Sequence, residues 1–479
     1  MTTTRSPGRK AAFLVAVGFT TVGVLATPAL PLGQVPAPVT FTKDIAPILQ
    51  RSCQNCHRPD GVGPMALTTY EEVRPWSRAI KARTGIGPKA GVMPPWYIEK
   101  DIGIQQYKND PSLSDEEIAK IAKWADSGAP RGDPADMPAL LQFEDVGKWV
   151  IGEPDLIINS PEVTVKATAP DWWGRLGDAP TGLTEDRYVA AIQAREVNDI
   201  PRASATGTVG GRYIFHHVDY ATQVPGADSD EDLSGTGTSA TTFPTVEVGR
   251  NGDTFAPEAG LLMAAGSHLV FSTAHIHSPG RDTKAHIEVG VKFHPKGYKP
   301  TVKMLRGGLG NGANIDVRPN TANQIFHAYK VLQENTKIIA FEPHLHAPGY
   351  RMCLEAIWGS MIQTLTCDGY DHSWVRIYFY ADDAAPLLPK GTILHLIGTM
   401  DTSPANKNVA DRRNWQGSGQ RSVSNMFLDL GLRLELTEEQ FQQEMAKRRE
   451  KLKLTKNDVV IGCPLCNLTS PPSAPPANR

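Results

Sequence analysis

The chain has 479 residues, with 49 Lys and Arg against 51 Asp and Glu, so its formal net charge is −2. This near balance excludes a nucleic-acid binder that depends on a strongly basic surface. The length allows about three domains, which leaves ample chain for large hydrophobic cores.

The first 26 residues have the pattern of a secretory signal peptide. The basic stretch "RSPGRK" precedes the apolar run "AAFLVAVGFTTVGVLA", and small side chains for cleavage follow at Val24, Leu25 and Ala26. The run is short for a membrane span, so a cleaved signal is favoured over an uncleaved anchor. We therefore expect a bacterial periplasmic or secreted protein with no membrane span after cleavage.

A C-x-x-C-H motif follows at Cys53, Cys56 and His57. Two thiols at this spacing can each add to a vinyl group of one haem, and the adjacent histidine can bind the iron. A CxxC redox pair does not need the histidine. Half of a zinc site needs a second Cys/His pair nearby, and the next histidine is His216. We therefore predict one covalent haem c.

The segments around the motif predict a small all-α cytochrome c domain over residues 38–137. A helix running into the motif is indicated by apolar residues on one face, namely Ile45, Ile48 and Leu49. Ser114 and Glu117 form a capping box that begins a second helix. Met93, in "AGVMPPWYIEK", is the candidate sixth iron ligand. Met65 is its rival, and we interpret Met65 as packing on the haem edge.

From about residue 150 the chain changes to short β-rich runs separated by Gly, Pro and Asp, such as "RYVAAIQA" and "SHLVFSTAHIH". This pattern predicts two antiparallel β-sandwich (jelly-roll) domains, over residues 150–298 and 299–436. For residues 437–479 it predicts a charged surface helix, "TEEQFQQEMAKRREKLK", and a disordered Pro-rich tail.

Four cysteines remain outside the haem motif. Cys353 and Cys367 flank "LEAIWGSMIQTLT", which predicts two strands around a Gly-Ser turn that a disulfide could close. Cys463 and Cys466 lack a following histidine, so a local disulfide is favoured over a second haem. Sequence alone does not fix these pairings, and they stay open here.

Twelve of the 13 histidines lie in the β-rich region, and several are paired. The pairs are His216–His217, His275–His277 and His344–His346. Alternate side chains of a strand share a face, so an H-x-H pair can reach one ion, whereas adjacent histidines need a twist, a bulge or binding through Nδ1. Clustered buried imidazoles cost stability unless a metal or water uses them. We interpret three others as ordinary core histidines: His327, His372 and His395.

Imidazole clusters suit copper and zinc, and a thioether ligand favours Cu(I). Met426, in "QRSVSNMFLDLGL", and Met400, in "IGTMDTS", are the candidates for that sulfur, and the choice between them stays open. Two histidines and a methionine indicate a redox-cycling copper. A zinc hydrolase site made of histidines alone is the alternative, but it would not explain a haem motif in the same chain.

The order of these motifs resembles the copper type II, ascorbate-dependent monooxygenases, which include peptidylglycine α-hydroxylating monooxygenase and dopamine β-monooxygenase. It is most similar to bacterial members with an N-terminal cytochrome c domain. The likeness covers most of residues 40–435 and includes "MPPW", "TEDRYVAAIQAREV", "FHHV", "FAPEAGLLMAAGSHLVFSTAHIHSPG" and "PHLHAPGYRM". The chain departs from the family at Asn425, where an acidic residue is usual, and at "HAPG", where a basic "HLRG" is usual. These differences indicate an unusual substrate or donor.

The resemblance implies two β-sandwiches, each with one copper, facing each other across a solvent-filled cleft. It implies an electron-transfer copper bound by His216, His217 and His275. His277 would then be a neighbour of this site or a spare group. It implies an oxygen-activating copper bound by His344, His346 and Met426.

The implied function is hydroxylation of a C–H bond in a small organic substrate with O2. Ascorbate is the family's electron donor, and we expect the haem to replace or relay it because fusion raises the donor's effective concentration. A redox partner protein is a further candidate donor. The alternatives are a non-catalytic periplasmic electron carrier that holds haem and copper, and a zinc hydrolase. The sequence does not indicate the substrate or the oligomeric state.

Overall fold

The computed structural model describes residues 38–59, 61–143, 147–200, 213–226, 240–247, 252–310, 315–413 and 425–467. The predicted signal peptide and the Pro-rich tail after residue 467 lie outside the described residues. Within the described ranges, no helix combines the length and the apolar character that crossing a membrane requires.

The N-terminal part of the described chain is helical. A π-helical turn (Phe41–Ile45) is followed by α1 (Ala46–Ser52), α2 (Tyr70–Val73), a 3₁₀ turn (Arg74–Trp76), α3 (Ser77–Thr84), α4 (Asp115–Asp126) and a second 3₁₀ turn (Pro134–Asp136). Ile45 and Leu49 are fully buried, as the helical spacing predicted. Ser114 and Glu117 form the predicted capping box at the start of α4. The cytochrome c assignment of this part stays a prediction.

Most of the remaining described chain is antiparallel β-sheet, which confirms that the region after residue 150 is rich in antiparallel strands. The first strands are β1 (Leu156–Asn159), β2 (Val163–Val165), β3 (Trp172–Gly174), β4 (Gly177–Pro180), β5 (Arg187–Asn198), β6 (Phe215–Gln223), β7 (Ala240–Thr242), β8 (Val246–Glu247), β9 (Asp253–Thr254), β10 (Leu261–Met263), β11 (His268–Ile276) and β12 (Thr283–Phe293). The later strands are β13 (Lys303–Arg306), β14 (Leu309–Gly310), β15 (Gln324–Val331), β16 (Asn335–Ile338), β17 (Ala340–Phe341), β18 (Pro343–Leu345), β19 (Gly349–Trp358), β20 (Met361–Asp368), β21 (Tyr378–Phe379), β22 (Leu387–Leu388), β23 (Ile393–Met400), β24 (Phe427–Asp429) and β25 (Leu432–Leu436).

Strands β1 to β12 form two six-stranded sheets. One has the order β1-β12-β5-β10, with β2 beside β12 and β9 beside β5. The other has the order β3-β11-β6-β7, with β4 beside β11 and β8 beside β6. Val189 and Val289 from the first sheet share one hydrophobic core with Val218 and Leu269 from the second. The two sheets therefore pack face to face.

Strands β13 to β25 form smaller sheets, with the orders β13-β25-β16-β22, β14-β24-β18, β15-β23-β19-β20 and β17-β21. Met304 on β13 and Leu434 on β25 belong to the same core as the first two sheets. The hydrophobic core is thus continuous across the predicted boundary between residues 298 and 299. The C-terminal helix α5 (Glu438–Leu452) also joins it, because Phe441 and Met445 are buried.

Residues 96–107 leave the helical part and pack on the later strands. Ile98 pairs with Asp368, and the Glu99 carboxylate forms an ion pair with Arg351. The core of the later strands includes four residues of this segment, namely Trp96, Ile98, Ile104 and Tyr107. Residues 96–107 therefore share a core with the later strands, whereas Cys53 of the haem motif packs on a separate helical core.

Both candidate disulfides are present. Cys353 on β19 lies opposite Cys367 on β20, with their Cα atoms 4.1 Å apart, and Cys463 pairs with Cys466. Cys53 and Cys56 have the same spacing as the second pair but remain thiols. The structure therefore resolves the pairings that the sequence left open.

Buried Asp368 is expected to give the folded protein a pH dependence. Burial raises the pKa of Asp368 from 3.8 to about 7, although the Tyr378 hydroxyl donates a hydrogen bond to it. The folded state then keeps a proton that the unfolded state releases, so this group lowers stability as the pH rises from about 4 to about 7. We expect Asp368→Asn to raise the free energy of unfolding at about pH 8 by up to about 4 kcal/mol.

The gain from Asp368→Asn should shrink towards about pH 4, where both states hold the proton. Thermal unfolding at the two pH values measures it. Asp101→Asn, at an exposed position, is the control and should not change the Tm at either pH. An Asp368→Asn variant that is no more stable at high pH contradicts the prediction.

Candidate metal centres and haem site

His216, His217 and His275 converge from the neighbouring strands β6 and β11. His275 lies opposite His217 in the register of this pair, but the next residue, Ile276, lies opposite Phe215. His216 is therefore the extra residue of a β-bulge. This is the irregularity that two adjacent histidines need in order to share a face. One ligand atom from each of the three side chains lies within 4.8 Å of the others.

The chemistry of these three imidazoles fits a metal ion. The Nδ1 atoms of His216, His217 and His275 are buried and have no hydrogen-bond partner among the described residues. Burial lowers the pKa of His216 to about 3 and that of His217 well below its ordinary value, so both rings are neutral near pH 7. Neutral imidazole is the form that binds metals. A bound cation would satisfy three buried nitrogens that are otherwise costly to the fold.

The surroundings of the first cluster support the same interpretation. The Nε2–H of His275 donates to the Asp171 carboxylate over 3.2 Å, which leaves Nδ1 as the free base of that ring. Trp173 stacks on His275 with the ring centroids 4.1 Å apart. His277 donates through Nε2 to the Tyr213 carbonyl over 3.0 Å. His277 is thus a neighbour of the cluster and not one of its three members.

His344 and His346 form a second cluster at β18. Their Nε2 atoms lie 3.3 Å apart, as expected for alternate residues on one face. Burial lowers the pKa of His344 to about 4, and its buried Nδ1 has no hydrogen-bond partner among the described residues. Leu345 lies opposite Phe427 on β24, so the same register extended by one position places Met426 opposite His346.

Met400 has different surroundings from Met426. It ends β23, where it pairs with Gln324 and Gly349, and it is fully buried in the hydrophobic core of the later strands. The register therefore favours Met426 as the sulfur beside the histidine pair.

Exchanging each methionine for leucine distinguishes the two candidates. Met426→Leu should weaken Cu(I) binding at the second cluster by at least about tenfold, because it removes a soft thioether. Met400→Leu keeps similar volume in a core and should leave the affinity unchanged. Competition between the copper-loaded protein and a Cu(I) chelator measures both affinities. If Met400→Leu weakens Cu(I) binding and Met426→Leu does not, Met400 is the sulfur ligand.

The C-x-x-C-H residues form the turn after α1, where the His57 amide donates to the Cys53 carbonyl over 2.9 Å. The Nδ1–H of His57 points at the Met65 carbonyl, 3.2 Å away, which leaves Nε2 for an iron ion. Gly63 packs directly on this ring, since a Cβ there would lie 2.5 Å from Nδ1. Two half-buried thiols beside such a histidine fit the attachment of haem c.

Met93 lies in the loop after α3 and lines an apolar cleft together with Leu113 and Ile118. Leu113 and Ile118 also belong to the helical core on which Cys53 packs. Met65, in contrast, contacts the His57 ring through its carbonyl, on the side turned away from Nε2. These contacts favour Met93 over Met65 as the second iron ligand.

The interpretation of His327 as a core histidine is wrong. Strand β15 is at a sheet edge, and alternation places His327 on its solvent face together with exposed Ile325 and Tyr329. Its Nδ1 lies 2.9 Å from Nε2 of His395. His395 is buried, but it donates through Nδ1 to Glu355 over 2.9 Å, so it belongs to a polar chain on this face.

His372 is also not an ordinary core residue. It is half-buried in the loop after β20, its ring centroid lies 6.4 Å from that of Trp173, and it bonds the Leu345 carbonyl. It therefore lies between the two histidine clusters. The solvent-filled cleft that the family resemblance implies stays a prediction. Sequence reasoning missed His372 because a single histidine in a turn has no spacing pattern.

No protein-family model matches the chain, and no curated protein matches it. Among solved structures, it is similar to the cowpea mosaic virus top component, naturally occurring empty particles, with a TM-score of 0.26 and 11% identity over 62% of this chain and 93% of that chain. It is also similar to a human norovirus GI.7 VLP, with a TM-score of 0.15 and 10% identity over 57% of this chain and 72% of that chain. At these TM-scores the likenesses support no inference about function.

Proposed function

We propose that this protein is a copper-dependent monooxygenase that hydroxylates a C–H bond of a small organic substrate. The observation that supports the proposal is the convergence of two sets of histidine side chains on the β-sheets. One set is His216, His217 and His275, whose ligand atoms lie within 4.8 Å of one another. The other is His344 and His346, with Nε2 atoms 3.3 Å apart and Met426 opposite in register.

The two sets suit different roles. Three histidines hold copper in a site that can store one electron, whereas two histidines and a thioether favour Cu(I) and leave room for another ligand. When bound, the two coppers supply one-electron redox chemistry and the activation of O2. The overall reaction is R–H + O2 + 2 e⁻ + 2 H⁺ → R–OH + H2O. The chain's own contribution is to keep the imidazoles neutral, buried and convergent.

We further propose that residues 38–137 are a cytochrome c domain that passes electrons from ascorbate or from a redox partner protein to the copper sites. The C-x-x-C-H turn, the His57–Met65 hydrogen bond and the shared core with the later strands support this role. The two disulfides are compatible with export to the periplasm or beyond.

Oxygen uptake tests the proposed activity. Copper-loaded full-length protein, supplied with ascorbate and a panel of small C–H substrates, should consume O2 in a one-to-one ratio with hydroxylated product. Copper-free protein is the control. Reversible redox cycling of haem and copper without product would support the alternative, a non-catalytic electron carrier. Tightly bound zinc without redox activity would support a hydrolase.

A further inference from the structure

The loop Asp371–Arg376, here called the bridge segment, contacts the part of the chain that carries the haem motif. The Asp371 carboxylate accepts hydrogen bonds from the Gly91 amide over 3.0 Å and from the Tyr97 hydroxyl over 3.3 Å. Gly91 and Tyr97 flank Met93 in the sequence. The first residue of the bridge segment therefore fixes the loop that offers the predicted iron ligand.

The other end of the bridge segment contacts a strand beside the first histidine cluster. The Arg376 guanidinium lies 3.3 Å from the Glu247 carboxylate, and Glu247 lies opposite His217 in the register of β6 and β8. Arg376 thus anchors the bridge segment next to β6, which carries two histidines of the first cluster.

Between these two anchors, Trp374 packs against the first cluster. Its ring centroid lies 4.6 Å from that of His216, with the planes at 69°. The bridge segment therefore connects the loop of the predicted iron ligand Met93 to the first histidine cluster. At the cluster, the Trp374 ring makes the contact with His216. Trp173, which also packs on this cluster, approaches His275 from β3 and lies outside the bridge segment.

We infer that the bridge segment is the electron-transfer route from the haem to the first copper site, with Trp374 as the residue that positions the contact. This inference rests on the proposed haem and copper assignments. With both groups bound, a ferrous haem would lose one electron and a Cu(II) held by His216, His217 and His275 would gain it. No bond is formed or broken, and no other reactant is needed.

Flash photoreduction tests the route on the full-length protein loaded with haem and copper. A flavin sensitiser reduces the haem without oxygen present, and the decay of reduced-haem absorbance then reports transfer to Cu(II). Wild type should show a decay phase that depends on copper and is independent of protein concentration. Trp374→Leu should slow that phase at least about tenfold, equal to about 1.4 kcal/mol in the barrier.

Trp172→Leu is the matched control, because it removes an exposed indole of β3 outside the bridge segment, and its rate should equal that of wild type. Trp374→Phe keeps a smaller aromatic ring and should give a rate between those of wild type and Trp374→Leu. Haem content, copper content and haem midpoint potential should be the same in all variants. If Trp374 only supported the fold of the site, its removal would change at least one of these quantities.

An unchanged rate in Trp374→Leu, or an equal slowing in Trp172→Leu, overturns the inference. If Trp374→Leu loses a metal, the comparison uses Trp374→Phe, and a rate no slower than wild type overturns it. Absence of copper-dependent decay in wild type overturns the route and the haem-donor role, while hydroxylation driven by ascorbate would leave the oxygenase proposal intact. If electron transfer occurs but no hydroxylated product forms, the inferred route stands and the oxygenase proposal is contradicted.

Discussion

Replacing His344 with alanine is expected to reduce oxygen consumption by the copper-loaded protein on the order of 10³-fold, because it removes a ligand of the copper proposed to activate O2. The loss should leave the haem spectrum and the copper of the first cluster unchanged. His344 belongs to a pair whose Nε2 atoms lie 3.3 Å apart, so the variant keeps only one histidine of this pair. Oxygen uptake with ascorbate, together with copper analysis, measures both effects.

His327→Ala provides the matched control for His344→Ala. His327 also lies near a second histidine, with Nδ1 2.9 Å from Nε2 of His395, but this pair is on an exposed sheet face. Its removal should leave copper content and oxygen uptake at wild-type values. Full activity in His344→Ala, or loss of activity in His327→Ala, would place the reactive copper elsewhere.

Arg306→Met is expected to destabilise the protein by about 3–5 kcal/mol, because it leaves a buried carboxylate without its cationic partner. Arg306 and Glu342 form an ion pair of 2.6 Å and are 2% and 0% exposed. Thr245 Oγ1 lies 2.6 Å from both Glu342 and Asp219. Glu342 precedes His344 by two residues and Asp219 follows His217 by two, so this network fixes the strands that carry both clusters.

The double variant Arg306→Met/Glu342→Leu should recover most of the lost stability, since both buried charges are then absent. Arg413→Met removes an exposed partner of Asp411 and should leave the free energy of unfolding nearly unchanged. Urea unfolding of the four proteins measures the differences. A double variant as unstable as Arg306→Met would show that the ion pair itself, and not the unpaired charge, dominates.

The histidine clusters show how much of the candidate site could be predicted from the sequence. The H-x-H spacing at His344 was sufficient to predict a shared face, because strand side chains alternate with a period of two. The pair His216–His217 required an irregularity, and the bulge supplies it, but no residue pattern located that bulge in advance. The choice of Met426 over Met400 also needed the register of β24, a long-range property.

The bridge segment shows where the sequence is insufficient. "DHSW" contains one histidine and one tryptophan at no diagnostic spacing, and its importance arises only from what it contacts. Trp374 reaches His216 across more than 150 positions of chain, and Asp371 reaches Gly91 across 280. His327 likewise faces solvent because β15 lies at a sheet edge. Residue propensity and polarity do not reveal strand order, so the sequence could not predict this exposure.

The haem and copper content of the purified full-length protein, with its absorption and electron paramagnetic resonance spectra, is the decisive test of the proposed cofactors. We expect roughly one haem and two coppers per chain, with one copper lost in a His217→Ala variant and the other lost in His344→Ala. Zinc in place of copper, or two coppers retained in both variants, would contradict it.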